Sequence, residues 1–103
     1  MTDKQLHVEP FRPEAKLVGK YRGVVRKNAD PLMLGRVIAE VPAVTALLNW
    51  AMPCVPYPTH GAQGTVPPVG AHVWIEFEGG DPNYPVWTGC FWAPGDSPLL
   101  LTP

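Results

Sequence analysis

Residues 69–92, VGAHVWIEFEGGDPNYPVWTGCFW, decide how this chain is read. Val73, Ile75 and Phe77 alternate with His72, Trp74, Glu76 and Glu78. A period of two is the pattern of a strand with one buried face. Gly79, Gly80, Asp81, Pro82 and Asn83 follow as a block of turn formers. A second strand is expected from about Pro85 to Phe91, with Trp87 and Trp92 as apolar anchors. Three of the four tryptophans fall in this hairpin, which is expected to form half of a small β-barrel.

Working outward, the chain of 103 residues is sized for one domain. Its 10 glycines and 14 prolines approach the level of disordered segments. The strand periods and the tryptophans argue instead for a loop-rich all-β domain. Before the hairpin, Leu17–Lys27 (LVGKYRGVVRK) reads as the first strand. Leu17, Gly19, Tyr21, Gly23 and Val25 face inward, and Lys20, Arg22 and Arg26 make the outer face basic. The inner glycines imply strong coiling or a bulge. Asn28–Pro31 is a turn, and Gly35–Val41 is a second strand that Pro42 stops. Val44, Leu47, Leu48 and Ala51 carry a helical spacing, read as a turn of helix leading into a third strand near Trp50–Val55. A long proline-rich loop, Pro56–Val69, then precedes the hairpin.

Five strands with one long connection between the third and fourth fit an OB-like Greek-key barrel over residues 17–93. Residues 1–16 read as an extended arm, either frayed or ordered by a partner, and 94–103 as an apolar tail. Leu99, Leu100 and Leu101 in that tail call for burial against something. In an OB fold the first strand pairs with the fourth. That would set Lys20, Arg22 and Arg26 beside Glu76 and Glu78, each opposite pair contributing roughly 0.2–1 kcal/mol.

Charge narrows the function. The net charge is −1, yet all eight Lys and Arg lie at or before Arg36. No overall attraction to nucleic acid or anionic membrane follows. The N-terminus has no secretory pattern, and no apolar run reaches the ~18 residues of a spanning helix. Cys54 and Cys90 are read as free thiols of a protein assembled in a cytoplasm.

Chemistry finds little support. Glu76 and Glu78 share a strand face about 7 Å apart, within the range of glycosidase carboxylates. Two acids on a solvated strand explain them better. His7, His60 and His72 are scattered, so no metal site is expected. Ser97 is the only serine and sits in a proline-rich tail. No phosphate-binding glycine loop occurs, and no cofactor is expected. Single-stranded nucleic acid binding needs a positive groove with exposed aromatics. Tyr21 and Tyr84 could stack, but the last two strands are acidic. Trp74 stands on the face opposite Val73, Ile75 and Phe77. Either the long loop buries it or it anchors an interface.

Residues 18–92 as a whole resemble a known family. VGKYRGVVRKNADPLMLGRVIAEVPAV, NWAMPCVP and VPPVGAHVWIEFEGGDPNYPVWTGCFW occur in the order seen in the OB domain of phage baseplate hub proteins, the baseplate assembly protein V group. That domain also occurs in spike proteins of type VI secretion and related contractile injection systems. FEGGDPNYPVWTG, preceded by PPVG and an early GRV, is the most specific part. The resemblance implies a homotrimer and no enzymatic activity. The trimer would close the end of the tail tube and join it to the spike in the virion's baseplate. Family members often continue into a lysozyme domain or a β-helical spike, and this sequence ends soon after the barrel. The expectation is therefore a hub without its own muramidase or metal-bearing tip. Its partners would be itself, a tube or hub protein on one side and a spike protein on the other. Neither nucleic acid nor stable membrane insertion is expected. Trp74, Glu76, Glu78, Tyr84 and Leu99–Leu101 are the interface candidates, beside the basic strand. The competing reading is a monomeric OB module for single-stranded nucleic acid or oligosaccharide.

Overall fold

The computed structural model describes residues 16–44, 46–57 and 66–98. The strands are β1 (Tyr21–Lys27), β2 (Ile38–Val41), β3 (Ala46–Leu47), β4 (Met52–Pro53), β5 (His72–Phe77) and β6 (Pro85–Phe91). They form one mixed sheet in the order β3-β2-β1-β5-β6-β4. β1 pairs antiparallel with β5, as the OB reading requires, and β4 runs parallel to β6. A backbone bridge between Val37 and Ala51 joins the segments leading into β2 and β4. It curls the sheet into an OB-like barrel.

Alternation builds the core. Val25, Val37, Ala39, Val41, Ala51, Val73 and Ile75 are fully buried, and Leu48, Phe77 and Trp87 nearly so. Gly23 lets β1 pass close to its neighbours. A Cβ there would lie 3.1 Å from Ile75 Cγ1 and 3.3 Å from Val41 Cγ2. Such contacts are tighter than a packed core accommodates without shifting.

Several boundaries differ from the sequence reading. Leu17 and Gly19 precede β1. Gly19 has φ of +78°, and the Leu17 amide donates to the Gly80 carbonyl at 2.9 Å. The helical spacing at 44–51 does not give a helix: a 3-10 turn, Pro42–Val44, ends where that spacing begins, and Ala46–Leu47 is already a strand. The expected third strand is two short pieces. β3 pairs with β2, and β4 pairs with β6. The chain changes partner between them, passing from one edge of the curled sheet to the other. Pro53 and Pro56 lack the amide hydrogen that a longer strand would need. Part of the proline-rich loop, residues 58–65, lies outside the described residues, as do 1–15 and 99–103.

A bulge in β6 sets which side chains reach the surface. Trp74 pairs with Gly89 and Ile75 with Trp87, so Thr88 is the extra residue. Unbroken alternation would put Val86, Thr88, Cys90 and Trp92 on one face. The bulge instead brings Cys90 opposite the buried Val73, against the core, and Phe91 opposite His72. Bulges re-aim side chains in this way.

Candidate interaction surface

On the outer face of β1, β5 and β6, the bulge brings Phe91 onto Trp74, with ring centroids 4.6 Å apart. His72 lies 5.2 Å from Phe91. The Arg22 guanidinium covers both rings, 5.2 Å from Trp74 and 4.9 Å from Phe91. Such cation–π contacts contribute about 0.5–1 kcal/mol at exposed sites. Trp74 is half-buried by this cluster, so its own sheet supplies part of the cover that the sequence reading sought in the long loop.

The charges pair differently from the sequence expectation. Lys20 Nζ does meet Glu76 Oε2, at 3.3 Å. Arg26 instead meets Glu40 of β2 at 2.7 Å, because β2 is its nearer neighbour. Arg22 takes the aromatic rings. Glu78 lies past the end of β5, in a 3-10 turn. These exposed pairs are worth about 0–1 kcal/mol each. Tyr84 is exposed beside a small hollow that Arg36, Trp50 and Glu78 also line. Leu99, Leu100 and Leu101 lie outside the described residues.

Two features escaped the sequence reading. The first is the β1–β2 connection. Its Asp30 carboxylate accepts the amides of Leu32, Leu34 and Arg36 at 2.9, 3.0 and 3.2 Å. The Arg36 side chain adds two bonds, Nε at 2.9 Å and Nη2 at 2.7 Å. The Asp30 side chain is only 3% exposed. The Arg36 guanidinium and these amides hold its carboxyl well below the usual carboxylate range. Arg36 also lies 5.4 Å from the Trp50 ring, and Trp87 Nε1 donates to the Gly35 carbonyl at 3.0 Å. The loop is thus tied to the core.

What this cradle holds outward is apolar: Leu32 is 63% exposed, Met33 89% and Leu34 49%. Met33 has φ of +54°, the positive-φ non-glycine among the described residues. That conformation costs an L-residue roughly 1–2 kcal/mol. The signal was present in the sequence as Asp30-Pro-Leu-Met-Leu-Gly-Arg36, three large apolar residues in a row within turn chemistry.

The second feature is a cleft of about 720 Å³ beside the aromatic cluster. Pro67, Ala71, His72, Phe91, Trp92 and Asp96 are among its walls. His72 and Phe91 belong to both cleft and cluster, so the two form one surface. Cys54 is an exposed free thiol. Cys90, also free, lines the cleft, and burial pushes its pKa up. Among the described residues no group of His, Cys, Asp and Glu could hold a metal ion. None of the described helices is long and apolar enough to cross a membrane.

The chain enters and leaves the barrel at opposite ends of the β5–β6 hairpin. Leu17 is bonded to Gly80 in the turn. Residues 92–98 follow the other end of β6, where Asp96 lines the cleft with His72. A family model, the type VI secretion system/phage-baseplate injector OB domain, matches residues 21–92, from the first residue of β1 to just past β6. The chain belongs to this family. Comparison with curated proteins gives no match. As an injector OB domain it has a structural, baseplate- or spike-related role.

Proposed function

We propose that this injector OB domain works as a homotrimeric hub that joins the end of a tail tube to a spike, within the baseplate of a virion. The observation that carries the reading is the pair of exits at opposite ends of the β5–β6 hairpin, on a barrel that belongs to the injector family. A connector needs one face for each neighbour. The N-terminal arm would reach one of them and the Leu99–Leu101 tail the other. The role is mechanical, and no reaction is assigned to Glu76 or Glu78.

A monomeric nucleic-acid module draws support from the Arg22–Trp74–Phe91 cluster, since bases stack on such rings. The electrostatics weigh against it. Lys20 and Arg26 are each paired with a glutamate, so β1 offers no unbroken positive track.

Light scattering on the purified protein separates the readings. A trimer mass at micromolar concentration is expected. A stable monomer that binds an oligonucleotide in a salt-sensitive way would overturn the hub. Trp74→Ala should weaken trimerisation at least about tenfold, on the scale of interface anchors, and lower the melting midpoint little. The opposite pattern, an unchanged trimer mass with a lower midpoint, would assign Trp74 to the fold alone.

A further inference from the structure

The Leu32–Met33–Leu34 tip is apolar and exposed. The cleft between residues 66–72 and 90–96 is concave and largely apolar, and its volume of about 720 Å³ lies within the ~300–1,000 Å³ of pockets that enclose a ligand. Tip residues are not among the cleft's walls. The Asp30 cradle explains why the tip does not fold back. Three backbone amides and the Arg36 side chain fix the loop on one carboxylate, and Trp87 ties Gly35 to the core. A pre-fixed apolar tip loses little freedom on docking, which favours tight association. Holding Met33 at positive φ costs the free chain stability, as functional sites often do.

We propose that the Leu32–Leu34 tip of one copy of this chain seats in the His72–Phe91–Trp92 cleft of the next. The contact joins two different patches, so it is heterologous, and such contacts close into rings when the rotation allows. This inference rests on the trimeric hub reading and supplies its interface. It also gives Trp74 a place, because the Trp74–Phe91 cluster is continuous with the cleft. Met33 would be the central anchor, and Phe91 and Trp92 the receiving walls.

Two variants and their mixture test it by native mass spectrometry and light scattering, with circular dichroism to confirm folding. Met33→Asp removes the tip, with Leu32→Asp as a second tip variant should the first not fold. Trp92→Asp spoils the cleft. Each is expected to weaken self-association by on the order of 10–100-fold, the range of interface anchors. Mixing the tip and cleft variants leaves one intact tip facing one intact cleft, so a one-to-one heterodimer should form without a ring. A wild-type trimer whose tip variants remain trimeric overturns this contact while the hub stands. A wild-type trimer whose variants dissociate but form no heterodimer on mixing shows that the tip and the cleft do not meet each other, and also overturns it. A monomeric wild type removes both the hub and this interface.

Discussion

Two connections in this barrel reverse the chain, and they do so by different means. The β5–β6 turn, 78–84, is built mainly from backbone, with a single exposed side-chain bond in which the Asp81 carboxylate accepts the Asn83 amide at 2.9 Å. The Asp81 amide donates to the Glu78 carbonyl, the Tyr84 amide to the Asp81 carbonyl and the Glu78 amide to the Tyr84 carbonyl, all at 2.9–3.0 Å. Its left-handed positions, at φ of +59° and +80°, belong to Gly79 and Gly80. The β1–β2 connection is built around a buried carboxylate, and it places a methionine in a left-handed position. The first solution is the one expected when a turn only has to turn. The second keeps large side chains at a site where glycine would be easier. The difference separates a turn that serves the fold from a loop that presents a surface.

The comparison breaks most severely at Asp30. Asp30→Asn removes the bidentate charge pairing and leaves the Arg36 guanidinium, only 17% exposed, without a compensating charge. The pair is part-buried, so losing one partner costs more than breaking an exposed pair. This variant should show the largest drop in urea midpoint of the substitutions considered for the two connections. Its pH dependence has a definite sign. Asp30 titrates lower in the folded chain than in the unfolded chain, where about 3.9 is usual. Its contribution is therefore complete above that value and is lost as pH falls towards the folded value. Urea midpoints between pH 6 and pH 2 should fall in the acid range for the wild type and less steeply for Asp30→Asn. Equal slopes would mean that Asp30 is not held by its partners.

Smaller effects belong to the glycine turn. Gly80 is buried, and a Cβ on it would meet Lys16 Cγ at 2.5 Å and the Leu17 amide nitrogen at 3.3 Å. Gly79 has open space around it. Gly79→Ala should cost about 1 kcal/mol, the left-handed strain alone. Gly80→Ala should cost about 2 kcal/mol, because it also disturbs the seat of Leu17. Equal losses would show that the Leu17–Gly80 contact adds nothing.

How much was legible follows the same division. Strands β1, β2, β5 and β6 were readable because alternation records which face is buried, and Val37, Ala39, Val41, Val73 and Ile75 are buried as expected. The turn after Phe77 was readable because glycine and proline act locally. The β6 bulge was not. It depends on the register with β5, which no local pattern carries, and so Phe91 was missed as a partner of Trp74. The split of the third strand was hidden because apolar residues at 44–51 fit either period over so short a span. The Asp30 cradle was missed because its partner, Arg36, was assigned to the start of a strand.

Met33 sharpens the comparison with the smallest effect on stability. Met33→Gly relieves roughly 1–2 kcal/mol of left-handed strain and adds roughly 0.5–1 kcal/mol of chain entropy to lose on folding. The net change should be a gain of about 0–1.5 kcal/mol, read as a slightly higher urea midpoint at a concentration where the chain is monomeric. If the loop were only a connection, nothing else would change. If the tip is an interface anchor, the same substitution must weaken association, because the side chain it deletes is 89% exposed and contributes little to the monomer's core. A monomer as stable or more so, with a weaker trimer, would mean that methionine is kept at this position for what it touches outside its own chain.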